Sequence, residues 1–207
     1  MELKREEQVI HMGYGIATLV EQIREDWRTH QRDWTLPGFR AVAVYRYGNW
    51  ANGRRRGVLQ SILCSVYRMM YRYVRNHYGI ELPATARVGR RLLLGHQSGI
   101  VIHPHAEIGD DCMIRQNVTI GSATPDRVFQ EAPKLGNGVQ IGAGAVIVGK
   151  VKIGDGVRIG PTAVVLTNVP AGASVFVSPP RIIQLAKPPV KKEGTAPKES
   201  QVEHVTS

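Results

Sequence analysis

Residues 135–165 read LGNGVQIGAGAVIVGKVKIGDGVRIGPTAVV. Leu135, Ile141, Ile147, Ile153, Ile159 and Val165 stand six apart without exception. A small or branched residue precedes several of them by two positions: Val139, Ala145, Val151, Val157 and Ala163. Positions i−2 and i lie on the same side of a short strand. Gly often follows the repeated aliphatic, as at Gly136, Gly142, Gly154 and Gly160, and lets the chain turn where a Cβ would clash. An amphipathic helix cannot give a period of six, and a hairpin sheet needs no fixed step. A turn every six residues with a buried side chain in each describes a solenoid with flat faces.

The same step runs upstream. Ile108, Ile114 and Ile120 keep it, and Val88, Leu94 and Ile100 keep it in a shifted frame. The repeat therefore covers residues 81–185 and breaks once, at residues 122–134 (SATPDRVFQEAPK). A polar insertion in a solenoid is a usual place for function. Before the repeat, residues 1–80 carry all 3 Trp and all 7 Tyr. Helix-like stretches there centre on 14–29, 38–52 and 57–77. In the last, Leu59, Ile62, Leu63, Val66, Met70 and Tyr73 form a candidate core stripe, with Arg68, Arg72 and Arg75 on a solvated face. Residues 186–207 are rich in Lys, Pro and Glu and read as a disordered tail.

Composition narrows the class. The chain has 207 residues, 43% of them apolar, which suits one domain with a buried core. The net charge of +10 points to anionic partners: polyanions, acidic lipid or a phosphorylated small molecule. A nucleic-acid partner is not expected, because no aromatic-basic recognition motif is present. The basic helices leave peripheral membrane contact open. Cys64 and Cys112 both sit in settings that suggest small buried positions and a reducing compartment. No apolar run approaches a membrane span, and the first residues, MELKREEQ, have no signal-peptide core. A cytoplasmic protein is expected.

The repeat, with GFRAVAVYR at 38–46, LGHQSGIVI at 94–102, RQNVTIG at 115–121, PKL at 133–135 and IGAGA at 141–145, resembles the hexapeptide-repeat acyltransferases. Within them it is similar to serine O-acetyltransferase and to exopolysaccharide O-acetyltransferases. The resemblance implies a left-handed parallel β-helix of about four coils, an N-terminal helical region, sites between the subunits of a homotrimer, and acetyl-CoA as co-substrate; because the helical region of residues 1–80 is shorter than in typical serine acetyltransferases, a trimer rather than a hexamer is expected. It implies His96 as the base that deprotonates an acceptor hydroxyl, the chemistry an imidazole suits near neutral pH. It implies Glu81 as the acid that orients His96. Glu81 precedes His96 by fifteen residues, so the two are expected on adjacent coils. Gly142, Ala143, Gly160 and Arg181 are the implied coenzyme contacts, and Asp33 and Gln116 the implied acceptor contacts.

The chain departs from serine acetyltransferases where they hold the amino acid. Ala132 and Glu131 stand where those enzymes carry a His and an Arg, and Gly95 stands where they carry an Asp. Pro161 lacks an N–H, and the chain ends Val-Thr-Ser. A sugar or exopolysaccharide hydroxyl is therefore the expected acceptor. L-serine is the first alternative. A non-catalytic scaffold that binds a polyanion or membrane surface is the second. No metal is expected: His103 and His105 could share a strand face, but His77 falls in a helix and His204 in the tail, so a third ligand is missing.

Overall fold

A computed structural model describes residues 15–123 and 131–178. Among the described residues three helices precede the solenoid: α1 (Ile16–Thr29), α2 (Pro37–Asn52) and α3 (Val58–Tyr78). Pro37 opens α2, where its missing N–H costs nothing. Gly79 closes α3 in the left-handed conformation, φ 63°, and its N–H caps the Arg75 carbonyl.

The solenoid has three parallel sheets, with strands numbered β1 to β14 in chain order. The first holds β1 (Ile80–Glu81), β4 (Ile100–Ile102), β7 (Thr119–Gly121), β10 (Val146–Val148) and β13 (Val164–Val165). The second holds β2 (Arg87–Val88), β5 (Glu107–Ile108), β8 (Lys134–Leu135) and β11 (Lys152–Ile153). The third holds β3 (Leu93–Gly95), β6 (Met113–Arg115), β9 (Gln140–Ile141), β12 (Arg158–Ile159) and β14 (Ser174–Val175). The chain visits the sheets in rotation, so three strands make one coil of a triangular prism. The five strands of the first sheet mark about four coils.

The six-residue step becomes columns of buried side chains. Ile102, Ile120, Ile147 and Val165 stack in register through the first sheet, and Ile114, Ile141 and Ile159 through the third. Ile120, Ile147 and Ile114 have no exposed surface. Burying each such side chain is worth roughly 1.5–3 kcal/mol, and a short strand needs that anchor because it has few ladder bonds of its own.

Two coils exceed eighteen residues. Ile120 pairs with Ile147, twenty-seven residues on, so nine extra residues lie between β7 and β8. This is the inserted loop, of which residues 124–130 lie outside the described residues. Leu94 and Ile102 occupy equivalent inward positions yet stand eight apart, so the β3–β4 turn holds two extra residues. The frame shift read in the sequence is this turn. Ile100 does not continue the Val88–Leu94 series; with Val101 paired to Thr119, it stacks in the i−2 column above Val118.

The helices dock on the first coils through a buried polar cluster. Arg46 Nε donates to Asp26 Oδ2 at 2.8 Å, and the guanidinium also donates to the carbonyls of Val88 and Gly89. Asp26 is fully buried and Arg46 3% exposed. His30, also buried, bonds Asp26 O through Nδ1 and accepts the Leu94 N–H at Nε2. That pairing defines the neutral Nδ1–H tautomer.

The expected core stripe of α3 is corrected. Leu59, Ile62, Val66 and Tyr73 are exposed. Met70 packs on the core as expected, joined by Tyr67, Tyr71 and Val74, with the Tyr67 hydroxyl accepting the Ala84 N–H at 2.8 Å. Two apolar stripes lie side by side on this helix, and the aromatic one reaches the core. Arg68, Arg72 and Arg75 are exposed as expected. Residues 186–207, expected as a disordered tail, and Arg181 lie outside the described residues.

Candidate functional site

The corner between the third and first sheets gathers most of the sequence-predicted site residues. Its turns are Gly95–Gly99, Gln116–Asn117, Gly142–Gly144 and Gly160–Thr162, one per coil. Backbone bonds tie each turn to the next: Ser98 N–H to Tyr78 O, Asn117 N–H to Ser98 O, Gly144 N–H to Gln116 O, and Thr162 N–H to Ala143 O. His96, Gln116, Gly142, Ala143 and Gly160 therefore share one edge of the prism, although 64 residues separate the first from the last.

The His96 turn is the irregular member. His96, Ser98 and Gly99 all have positive φ, at 69°, 85° and 66°. A side chain at Gly99 would run into Asn117, so Gly is required there. His96 is exposed, and its imidazole has no hydrogen bond among the described residues. It can therefore meet a substrate hydroxyl without first giving up a partner. At Gly95 a Cβ would meet only Arg115 and Ile114 O at 3.9 Å, which leaves open space beside His96.

Gln116 supplies an acceptor on the next coil. Its side-chain Oε1 is buried without a hydrogen-bond partner among the described residues. An unmet buried acceptor costs roughly 1–3 kcal/mol, and a ligand hydroxyl would relieve it. On the third coil, the Gly142 N–H is bonded to Ile159 O and the Gly144 N–H to Gln116 O. The Ala143 N–H has no partner among the described residues. On the fourth coil the Gly160 N–H is bonded to Val175 O, and Pro161 has none to offer. On these two coils, among the described residues, the edge presents one free amide donor, at Ala143. Gly142 and Gly160 act by close packing: a Cβ on either would strike the next coil or Phe176.

Glu81 and Asp33 are placed differently from the expectation. Glu81 stacks on Val101, because the first coil has twenty residues, and it is not stacked with His96. It is exposed on the outward face of β1, and no hydrogen bond joins it to His96. Asp33 Oδ1 accepts from both the backbone and the hydroxyl of Thr35, at 2.7 and 2.6 Å. Those bonds hold its carboxyl below the usual range; this is a turn-forming role, and nothing brings Asp33 to His96. Arg115, exposed on the same edge as His96, was not singled out as a site residue from sequence. Its pairing with Gly95 across β3 and β6 reveals it.

Among the described residues no group of three His, Cys, Asp or Glu could hold a metal. His103 and His105 lie with ring centroids 5.7 Å apart, and burial followed by the neighbouring imidazole lowers the His103 pKa. No described helix is long and apolar enough to cross a membrane.

The family model described as Bacterial transferase hexapeptide (six repeats) matches residues 132–167. The chain is 33% identical over 129 residues to a protein of Escherichia coli (strain K12) assigned to colanic acid biosynthesis as the acetyltransferase WcaB. That match covers 61% of this chain and 77% of the relative. It is 36% identical over 116 residues to a serine acetyltransferase of Synechococcus elongatus, covering 56% of this chain and 44% of that enzyme. The fold superposes on the crystal structure of serine acetyltransferase from Vibrio cholerae with a TM-score of 0.65 at 28% identity, covering 76% of this chain and 62% of that one. The chain therefore spans less than two thirds of these serine acetyltransferases.

Proposed function

Because the chain belongs to the bacterial hexapeptide-repeat transferases and its relatives are acetyltransferases, we propose that it moves the acetyl group of acetyl-CoA to a carbohydrate hydroxyl, with His96 as the base. The observation that carries this reading is the shared edge: a free imidazole, an unmet Gln116 oxygen and a free Ala143 amide on consecutive coils. His96 takes the hydroxyl proton at an imidazole nitrogen as the oxygen attacks. Gln116 accepts from a neighbouring hydroxyl of the acceptor and fixes its orientation. Acetyl-CoA supplies the activated thioester carbonyl; as the acceptor oxygen bonds to it the C–S bond breaks, and the leaving thiolate takes the proton back from the His96 imidazolium, giving the free thiol and the acetyl ester. The Ala143 N–H fits an amide-bearing coenzyme arm, and the side-chain-free Gly142 and Gly144 keep the edge low enough for it. Glu81 is the acid partner in this reading. It sits on the strand next to the His96 turn, and catalytic hydrogen bonds are often long until substrate binds.

A convex edge buries little of a ligand, whereas binding sites are concave. A second copy resolves this. The outward face of the first sheet carries Val101, Val146 and Val164, with Val164 60% exposed. A neighbouring copy laid on that face would turn the edge into a cleft, and the homotrimer that the resemblance implies supplies such a neighbour for each subunit; light scattering at the mass of a hexamer would defeat this part of the proposal.

The carbohydrate acceptor rests on two supports. The E. coli relative is assigned to a polysaccharide pathway, and Ala132 is 4% exposed in the apolar core, where serine acetyltransferases carry a His. The likeness to serine acetyltransferases favours L-serine as the second reading. A panel of L-serine, sugars and oligosaccharides incubated with acetyl-CoA and read by mass spectrometry decides between them. The expected product is an acetylated saccharide. Efficient O-acetylserine formation would overturn the acceptor, and no thiol release with any acceptor would overturn the enzyme reading.

A further inference from the structure

Helix α3 presents a second apolar stripe to solvent. Leu59, Ile62, Val66, Met69 and Tyr73 follow one another at steps of three, four, three and four residues. They line one face over four turns and are 36–69% exposed. Monomeric surfaces rarely leave such a continuous apolar face open. It continues into a groove of about 560 Å³ lined by Trp34, Phe39, Met69, Met70, Tyr73 and Tyr78, with Arg40 at its edge. Trp34 is 67% exposed, and Arg40 lies over its ring and donates to the Tyr78 hydroxyl at 2.8 Å.

Charge selects the occupant. Between Asp33 and Glu81 the chain has no Asp or Glu but eight Arg. Arg68, Arg72 and Arg75 flank the stripe on the side away from the core, and Arg54, Arg55 and Arg56 precede it. Two α3 helices zipped along this stripe would bring Arg against Arg with no carboxylate on either helix to answer them. An anionic surface answers the exposed Arg68, Arg72 and Arg75. Trp and Tyr beside the stripe are the side chains that favour a water–lipid boundary. The helix has 21 residues and is not apolar enough to cross a bilayer, but it can lie in the plane of one.

We propose that α3, with the Trp34–Tyr78 groove, docks the protein on an anionic lipid bilayer, apolar stripe inward and arginines at the headgroups. The docking stands independently of the acetyl-transfer reading. It leaves the His96 turn beside the surface, because the Tyr78 carbonyl at the end of the groove holds the Ser98 N–H.

The test is co-sedimentation of the full chain with vesicles of phosphatidylcholine alone or mixed with phosphatidylglycerol. Binding is expected to the phosphatidylglycerol vesicles, to weaken with salt, and to be absent with phosphatidylcholine alone. Each surface Arg contributes about fivefold, so Arg68→Gln/Arg72→Gln/Arg75→Gln should weaken it about a hundredfold. Ile62→Asp/Met69→Asp should abolish it, with the melting curve unchanged because both side chains already face water. Light scattering on that variant reads the competing occupant. No binding to anionic vesicles, binding that survives the double Asp change, or a fall in oligomeric mass in that variant would each overturn the proposal; the last would assign the face to a second copy.

Discussion

His96→Asn is the sharpest perturbation of the proposed site. The imidazole is exposed and makes no hydrogen bond among the described residues, so its removal breaks no contact. Its backbone sits at φ 69°, a region that costs most residues about 1–2 kcal/mol but that Asn tolerates. Asn therefore deletes the base without adding strain to the turn, whereas a β-branched residue would confound the two effects. A positioned base contributes about 10²–10⁴ in rate, which is about 2.7–5.5 kcal/mol of barrier at 1.36 kcal/mol per tenfold. The loss should fall on kcat. The KM for acetyl-CoA should move little, because the free Ala143 amide stands two coils away. Thiol release from acetyl-CoA, followed from pH 6 to 9 with the acceptor identified by the panel, reads both. The melting temperature reads the fold and should stay within about 2 °C. A kcat/KM within threefold of the unaltered protein would remove His96 from the mechanism. A large fall in melting temperature would show that the side chain is structural after all.

Ile153, 2% exposed between Leu135 and Val169, should not tolerate Asp: an unpaired buried carboxylate costs roughly 4 kcal/mol or more, and a soluble variant with a cooperative melt would contradict the six-residue register. Burial pushes the Cys112 thiol up to about 11, while Cys64 is only half-buried, so Ellman's reagent should modify Cys64 in the folded protein and Cys112 only after denaturation; equal rates would refute this. Burial lowers the His30 pKa against the opposing pull of Asp26, so below about 6.5 the unfolded chain takes the proton first. The His30 contribution to stability is thus complete above that pH and falls as pH drops, by up to about 1.36 kcal/mol per unit; His30→Gln should flatten this part of the slope, and identical slopes in thermal melts would count against it.

The solenoid was legible because one rule repeats at every coil: an inward aliphatic every six residues, with no alternative structure that shares the period. The three helices were legible from their apolar recurrence, to within two residues at each end. Legibility failed where two local patterns were equally apolar. Ile100 and Ile102 both face inward, so the sequence could not show which one continues the column. On α3, the Leu59–Tyr73 and Tyr67–Val74 stripes both satisfy helical spacing, and only tertiary packing chooses between them. Glu81 stacks on Val101 rather than on His96 for a related reason, since fifteen residues falls further short of a coil of twenty than of one of eighteen. The Asp26–His30–Arg46 cluster was not legible at all. Nothing in the local pattern marks a charge as buried when its partner stands twenty residues away.

A regular repeat offers many equivalent corners and no reason for chemistry at one of them. The His96 corner differs because it is joined to the C-terminal end of α3. Gly79 ends α3 in a left-handed turn, and a Cβ there would already press on Gly99 and Ser98. The Tyr78 and Gly79 carbonyls accept the Ser98 and Ile100 N–H groups, so the end of the helix supplies the ladder partners that a preceding coil supplies elsewhere. On the other side, Ser98 O accepts the Asn117 N–H of the next coil. The two extra residues are held between these supports, which keeps three consecutive polar side chains, His96, Gln97 and Ser98, exposed on a backbone that would otherwise relax. A second tie acts from below: His30 on α1 holds the Leu94 N–H, two residues before His96. The helical region is therefore the template of the catalytic turn in this reading, and loosening it at His30 or Gly79 should cost activity before it costs the solenoid.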